Sequence, residues 1–298
     1  MRRIAGTRKV GHAGTLDPMA TGVLVVGINK ATRLLTYIVG TSKTYTATIR
    51  LGQSTVTDDA EGEVTATAST AEVAEQAIHD GVAALTGQIQ QVPSSVSAIK
   101  VNGERAYARV RSGEEVKLAS RPVTIHRFEV HSISRDAAAD VVDLDVTVEC
   151  SSGTYIRALA RDLGNALGVG GHLTALRRTH VGPYSLEQAR TLEQLAEELD
   201  VLDMADAARA LMPNRELSPE ETTEISFGRR IAAGAAPGAG ATAEHPAAAF
   251  APDGSLVALL ADAGSFAKPV LVFAPGTGGP STGPDTSNGP GTGTSGAA

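Results

Sequence analysis

Asp17 is the side chain of this sequence best placed to do chemistry. It lies in the stretch Gly14-Thr15-Leu16-Asp17-Pro18-Met19-Ala20-Thr21-Gly22-Val23. Pro18 fixes its own φ and biases the preceding residue away from the helical region, so the turn presents the carboxylate in few conformations. A carboxylate held in this way can attack as a nucleophile or exchange a proton. The plain alternative is an Asp-Pro turn that only leads into the apolar run 23–26.

Two cationic side chains, Arg8 and Lys9, and the histidine His12 precede this carboxylate closely in the sequence. Residues 1–50 carry eight Lys or Arg and one acid, whereas residues 183–230 carry eleven acids and five Arg. The net charge is −7, but a basic front half is typical of a surface that binds a polyanion. Charges scattered over solvated faces remain the alternative.

Length and composition limit the class of protein. The 298 residues, 42% of them hydrophobic, allow about two folded domains. No apolar run approaches the ~20 residues of a membrane span, and the N-terminus lacks an apolar signal core, so we expect a cytoplasmic protein without membrane contact. Cys150 is the single cysteine, which excludes an internal disulfide and argues against a structural zinc site.

The elements that must position Asp17 alternate irregularly between strand and helix. Apolar patterns predict a buried strand over 22–28 and half-buried strands over 44–51 and 141–150. Strands and helices intermix without a regular βαβ rhythm, which favours an α+β fold with a mixed, mainly antiparallel sheet.

Helices are predicted from apolar residues at helical spacing. One helix begins after the turn 151–154 and ends at Gly168, and another covers 71–86 with Thr70 as its expected N-cap. The other expected helices cover 30–39, 191–199 and 203–210.

Three later segments have distinct compositions. Residues 94–122 form an excursion rich in Ser, Arg and Lys, too long and too basic for a simple connection. Residues 217–273 are expected to form a small C-terminal domain with strands near 247–251, 256–260 and 270–273. Residues 276–298 are almost entirely Gly, Thr, Pro and Ser and are expected to be disordered.

Several motifs accompany the Asp17 turn in a fixed order. They are Val10-Gly11-His12, Lys43-Thr44-Tyr45, Leu51-Gly52-Gln53, Asp58-Asp59, 97–107, Cys150-Ser151-Ser152-Gly153-Thr154-Tyr155-Ile156-Arg157, Gly171-His172-Leu173 and Leu176-Arg177-Arg178. Over about residues 8–210 the set resembles the bacterial tRNA pseudouridine synthase B (TruB) family. The motifs GTLDPMATG and GTYIR together carry the resemblance most specifically.

The resemblance implies a pseudouridine synthase fold, in which helices flank the sheet and a loop grips RNA. Residues 1–212 would form the catalytic domain, with 94–122 as that loop. The implied activity is isomerisation of uridine 55 in the T-arm of tRNA, by breaking the N-glycosidic bond, turning the uracil and rejoining it through carbon 5. No metal or organic cofactor is implied, and we expect a monomer. The family's first strand, with a Lys-Pro pair and a Thr-Ser-His turn, is expected before residue 1 and so absent here.

By position, Asp17 matches the family's essential aspartate. Attack on the anomeric carbon, attack on carbon 6 and removal of a sugar proton all remain open for it. Arg157 matches the arginine that pairs with this carboxylate and orients it through two hydrogen bonds. Tyr45 matches the residue that stacks on the target base. Alone, the arginine would be interpreted as a surface helix residue and the tyrosine as half-buried core.

Other residues match the base pocket and the RNA contacts. His12 matches the histidine that fills the space of the flipped base, and Leu176 matches a residue that lines the uracil pocket. The resemblance also implies positions near the base for Tyr155 and Asp59. The cations expected to hold phosphates are Arg8, Lys9, Lys100, Arg105 and Arg109.

Two alternative functions stay open at this point. One is a non-catalytic tRNA-binding or folding chaperone, and the other is a synthase that acts on another RNA with a guide RNA partner. RNA binding is a further expectation for the small C-terminal domain of residues 217–273.

Overall fold

The computed structural model describes residues 1–94, 118–234 and 240–273, together with the backbone of 100–101 and 104–105. The chain divides into two compact units, one of Val10–Asp200 and one of Met1–Lys9 with Val201–Ala298. Across the described residues, no helix has the length and apolar character needed to cross a membrane.

The unit of residues 10–200 has thirteen described strands, seven of which form one large sheet. In chain order its strands are β1 (Val10–His12), β2 (Thr21–Gly22), β3 (Val26–Ile28), β4 (Lys43–Leu51), β5 (Gln53–Thr55), β6 (Val64–Thr67), β7 (Gly87–Gln91), β8 (Lys100–Val101), β9 (Glu104–Arg105), β10 (Arg121–Asp136), β11 (Val141–Cys150), β12 (Gly171–Val181) and β13 (Tyr184–Ser185). The seven-stranded sheet has the order β13-β12-β4-β11-β10-β7, with β2 parallel to β12 and the other pairs antiparallel. The predicted mixed, mainly antiparallel sheet is confirmed.

The core follows from the alternation of apolar residues in β4 and β11. Ile49 and Leu51 of β4 are fully buried and lie opposite Leu144 and Val142 of β11. Burial of each such side chain contributes roughly 1.5–3 kcal/mol of transfer free energy. The two strands predicted from these patterns are therefore confirmed, and they form the centre of the sheet.

Four described helices belong to this unit. They are α1 (Leu35–Val39), preceded by a 3-10 turn over Asn29–Arg33, α2 (Glu75–Ala84), α3 (Ile156–Ala166) and α4 (Leu192–Glu197). Two of them, α2 and α3, contribute buried residues to the core of the sheet. Leu159 and Leu163 of α3 pack into the same cluster as the strand residues. A Cβ at Gly164 would lie 2.1 Å from the backbone of Gly170, so only glycine lets α3 approach the start of β12 this closely.

Two local expectations are wrong. The strand over 22–28 is interrupted, because the Val23 amide donates to the Arg178 carbonyl of β12 (2.8 Å) instead of continuing a ladder. Thr70 is not a helix cap, because its amide and its hydroxyl donate to the Asp140 carboxylate at 2.9 and 3.0 Å. Helix α2 consequently begins at Glu75 rather than at residue 71.

The second unit contains a separate five-stranded sheet. Its elements are α5 (Met204–Leu211), β14 (Asn214–Glu216), α6 (Pro219–Ser226), β15 (Ile231–Ala232), β16 (Ala247–Phe250), β17 (Leu256–Ala263) and β18 (Phe266–Val272). The strand order is β14-β16-β17-β18-β15. The three strands expected near 247–251, 256–260 and 270–273 are present as β16, β17 and β18, and the tail 276–298 lies outside the described residues.

Candidate active site

The Asp17 turn is held against the edge of the large sheet. Gly14 and Gly22 have φ of 81° and 103°, which L side chains rarely adopt. A Cβ at Gly22 would lie 2.1 Å from the Arg178 carbonyl oxygen, so the glycine is what allows the turn to reach β12. The Ala20 amide donates to the Asp17 carbonyl (2.9 Å) and closes the turn. The Asp17 carboxylate stays 30% exposed and is open to a ligand.

Arg157 pairs with this carboxylate in a two-bond geometry. Its Nε and Nη2 each donate to one Asp17 oxygen at 2.9 Å, and Nη1 donates to the Thr57 carbonyl at 2.8 Å. The arginine lies in the first turn of α3 and its side chain is 4% exposed. Charge-assisted double hydrogen bonds of this kind fix both distance and orientation, so the arginine aims the carboxylate.

Asp59 places a second carboxylate beside the same guanidinium. Its Oδ2 lies 3.4 Å from Arg157 Nη1, and its side chain is 3% exposed. The Thr57 hydroxyl and the Glu61 amide donate to its other oxygen. The segment is attached to β12 because the Leu173 amide donates to the Asp58 carbonyl (3.0 Å). Arg157 therefore bridges two carboxylates from different segments.

Tyr45 and Leu176 lie on neighbouring strands of the sheet. Tyr45 of β4 is opposite Arg178 of β12, and Leu176 of β12 is opposite Ala47. Burial raises the pKa of the Tyr45 hydroxyl, Arg178 opposes that shift, and the Asp17 charge adds to it.

Tyr155 is the residue that precedes α3, two positions before Arg157. The Gln91 side chain holds its backbone on both sides, donating to the Tyr155 carbonyl (3.1 Å) and accepting from its amide (2.9 Å). The Arg121 guanidinium lies 4.9 Å from the centre of the tyrosine ring, within cation–π range. The start of the helix that carries Arg157 is fixed by these contacts.

The remaining predicted site residues are His12, Arg8, Lys9, Lys100, Arg105 and Arg109. His12 is exposed on β1, with Nδ1 3.0 Å from the Gly14 carbonyl oxygen. Arg8 and Lys9 are exposed and belong to the other unit. Lys100 and Arg105 pair through their backbones in β8 and β9, while their side chains and all of Arg109 lie outside the described residues.

Several residues that contact this site were missed by sequence reasoning as site residues. Gln91 is fully buried and Arg178 is 2% exposed, but in a sequence a glutamine or an arginine within a strand is ordinarily interpreted as a surface residue. Burial raises the pKa of the Asp58 carboxyl, which accepts from the Ser94 hydroxyl (2.7 Å) and lies 3.3 Å from Arg161 Nη1. Within the described ranges, no group of three or more His, Cys, Asp or Glu side chains could hold a metal ion.

Comparison with known proteins identifies the family. Residues 2–156 match "TruB family pseudouridylate synthase (N terminal domain)", 157–220 match "tRNA pseudouridylate synthase B C-terminal domain", and 212–274 match "tRNA Pseudouridine synthase II, C terminal". Proteins named tRNA pseudouridine synthase B from Paenarthrobacter aurescens (strain TC1) and Nocardia farcinica (strain IFM 10152) are 82% and 57% identical to the chain. These matches cover 93% and 92% of this chain and 90% and 87% of the relatives.

Solved structures share the fold. A Cbf5-Nop10-Gar1 complex aligns with TM-score 0.63 and 25% identity over 92% of this chain and 77% of that chain. An H/ACA RNP bound to a substrate RNA containing 2′-deoxyuridine aligns with TM-score 0.65 and 24% identity over 92% and 79%. The sequence matches and the shared architecture agree, and the chain belongs to the TruB family of pseudouridylate synthases.

Proposed function

We propose that the chain isomerises uridine to pseudouridine at position 55, in the T-arm of tRNA. The observation that carries the proposal is the double hydrogen bond between Asp17 and Arg157. It presents a partly exposed carboxylate with its partner already in place, so the reacting group needs little reorganisation when RNA binds. The family membership supplies the reaction class.

Asp17 is the group that acts on the nucleotide. An ionised carboxylate can attack the sugar or the base and form a bond that breaks again later in the reaction, or it can remove a sugar proton and later return it. In each case the bond from N1 to the sugar breaks, the bond from carbon 5 to the sugar forms, and the proton lost from carbon 5 is balanced by one gained at N1. Arg157 orients the carboxylate, and Asp59 holds the other side of the guanidinium. Tyr45 supplies an aromatic surface against which the uracil stacks, and Leu176 supplies an apolar wall.

RNA binding requires the target base to leave the T-loop, which costs about a few kcal/mol. His12 is the side chain we assign to the vacated space, since it is exposed on β1 and precedes the Asp17 turn. Segment 94–122 grips the T-arm, with phosphates held by its cations and by Arg8 and Lys9. We assign the catalytic domain to 1–212, the protein acts as a monomer, and its tRNA substrate places it in the cytoplasm.

The C-terminal segment 217–273 binds RNA outside the T-arm in this proposal. Only five Lys or Arg occur over 201–273, and three of them, Arg209, Arg215 and Arg229, pair with a glutamate. Three cations are close to exposed aromatic rings or to their strand: Arg229 lies 5.4 Å from the Phe227 ring centre, Arg230 lies 4.2 Å from that of Phe266, and Lys268 is exposed on the same strand as Phe266. Exposed rings beside cations suit stacking of bases and contact with phosphates.

The test is pseudouridine formation in a T-arm stem-loop, comparing the chain with Asp17→Asn. The matched control is Asp143→Asn, because Asp143 also makes two hydrogen bonds to an arginine, Arg50, at 2.8 and 2.7 Å. We expect product from the parent and the control and none from Asp17→Asn. Tight binding without product from any of them would favour the chaperone. Product only after a guide RNA is added would favour a synthase for another RNA.

A further inference from the structure

Arg178 is a buried arginine whose side chain meets the Asp17 turn on both sides. Its Nε donates to the Val23 carbonyl (2.8 Å), and its Nη1 donates to the Thr15 carbonyl (3.0 Å). Thr15 precedes Asp17 by two residues and Val23 follows it by six. One guanidinium therefore joins the two ends of the segment that carries the reactive carboxylate.

The backbone of Arg178 is attached to the same segment. Its carbonyl accepts from the Val23 amide at 2.8 Å, and Gly22 pairs with it in the parallel β2–β12 bridge. Between Thr15 and Thr21 the segment has no strand or helix of its own. Within it, the Ala20 amide donates to the Asp17 carbonyl and Met19 and Ala20 pack against the core, while Arg178 joins its two ends.

Burial of the charged Arg178 side chain is energetically unfavourable unless the charge has a structural role. The residue is 2% exposed, and among the described residues its side-chain donors Nε and Nη1 bond to the Val23 and Thr15 carbonyls rather than to a carboxylate. Removing a guanidinium from water without a carboxylate is unfavourable. The Arg178 side chain also opposes the rise in the pKa of the Tyr45 hydroxyl, but both of these directed hydrogen bonds to carbonyls serve the turn.

We propose that Arg178 is a positioning residue: its guanidinium clamps residues 15–23 and so sets the place of the Asp17 carboxylate relative to Arg157. This role rests on the proposed function. A planar guanidinium reaches two carbonyls in divergent directions at once, whereas a lysine ammonium is a point donor on a flexible stem and cannot reproduce both contacts. The turn would then sample other conformations and the carboxylate would leave its aligned position.

The experiment compares Arg178→Lys with Arg177→Lys, the neighbouring position on β12. Arg177 is an exposed arginine that donates to the Thr21 hydroxyl (3.0 Å), so it contacts the same segment without spanning it. We expect the single-turnover rate of Arg178→Lys to fall by about 100-fold, as for a small misplacement of a reacting group. Its dissociation constant for the T-arm stem-loop stays within about threefold, and Arg177→Lys keeps the parent rate.

Amide hydrogen exchange at Ala20 gives a readout that does not need turnover. We expect this amide to exchange about tenfold faster in Arg178→Lys than in the parent, because its bond to Asp17 lies inside the released turn, while amides of β4 and β11 are unchanged. A parent chain that forms no pseudouridine would contradict the proposed function. The exchange comparison would still show whether the Arg178 side chain holds residues 15–23 in place.

Three outcomes would overturn the positioning role. The first is a rate for Arg178→Lys equal to that of the parent, and the second is unchanged exchange at Ala20. The third is a loss of folded protein in both Arg178→Lys and Arg178→Gln, since the residue would then serve the core of the whole unit rather than the turn.

Discussion

At the scale of single residues, the geometry of the site depends on the number of contacts that the Arg157 guanidinium makes. Arg157 uses Nε and Nη2 for Asp17 and Nη1 for Thr57, with Asp59 3.4 Å away. The side chain is almost fully buried, so these contacts replace the water that the charge has lost. A cation that formed fewer of them would leave the carboxylate less well oriented.

Arg157→Lys tests this geometry directly. We expect T-arm binding within about threefold of the parent and a rate of pseudouridine formation at least about 100-fold lower, because an ammonium cannot make the paired hydrogen bonds. Single-turnover kinetics and a binding titration measure the two quantities. Arg50→Lys is the control, since Arg50 makes the same paired contact with Asp143 on the sheet. Equal turnover by both variants would contradict the assigned role of Arg157.

At the scale of elements, buried polar side chains fix the junctions between strands and helices. Lys43 joins α1 to β4, because its Nζ donates to the Val39 and Thr41 carbonyls, both at 2.6 Å. Gln91 joins the end of β7 to the start of α3 through the Tyr155 backbone. Both residues satisfy backbone groups that the regular elements leave unpaired.

Gln91→Ala should destabilise the unit of residues 10–200. The change leaves the Tyr155 amide without its acceptor, which costs about 1–3 kcal/mol of the free energy of unfolding, while the Tyr155 carbonyl keeps the Leu159 amide as a donor (3.3 Å). Gln90→Ala, at an exposed position of the same strand, should change it by less than about 0.5 kcal/mol. Urea denaturation measures both, and similar values for the two variants would rule out a special role for Gln91.

Lys43 should make stability depend on pH above neutrality. Burial and then Arg178 lower the pKa of Lys43 from 10.5 to about 8. The unfolded chain therefore binds more protons between these values, and stability rises with pH. Burial raises the pKa of Cys150 to about 11, which lowers stability over the same range, so the Lys43 effect is measured as the difference between the parent and Lys43→Met. By urea denaturation, the free energy of unfolding of the parent relative to Lys43→Met should increase by roughly 1–2 kcal/mol from pH 7.5 to pH 9.5, and a difference that does not change with pH would refute the assignment.

At the scale of the whole molecule, the two units carry different kinds of RNA contact in our proposal. The unit of residues 10–200 holds the reactive carboxylate, while the cations and exposed rings at 227–230 and 266–268 lie in the other. An affinity for complete tRNA above that for the isolated T-arm would follow from two such surfaces acting on one ligand.

Arg230→Glu separates these contributions. It should lower the affinity for full-length tRNA by about three- to tenfold and reduce the salt slope by about one, while leaving the affinity for the isolated T-arm stem-loop unchanged. Arg127→Glu, at an exposed arginine of β10 paired with Glu129, serves as the charge-matched control. The proposed surface is wrong if the variant weakens both RNAs equally or neither.

The fold was predictable where one strand or helix reveals its buried face by itself. The alternations of 44–51 and 141–150 and the apolar spacing of 156–167 predict β4, β11 and α3. The failures come from contacts remote in sequence: Val23 bonds to Arg178, and Thr70 bonds to Asp140.

The site residues also divide into those that a local pattern predicts and those that depend on contacts remote in sequence. Asp17 could be predicted from its rigid turn alone, whereas its pairing with Arg157 was expected only through the family resemblance. No local pattern could have indicated the contacts of Gln91 or Arg178, since each depends on a partner brought near by the completed sheet.

The contacts of Arg157 also bear on when the site appears during folding. The arginine is 140 residues from Asp17 and 100 from Thr57 along the chain. Closing such long loops is entropically unfavourable until the intervening strands have condensed, so contacts of this separation form late. Recovery of catalytic activity after dilution from denaturant should therefore lag behind recovery of strand and helix signals, and the nascent chain cannot complete the ion pair before α3 has left the ribosome.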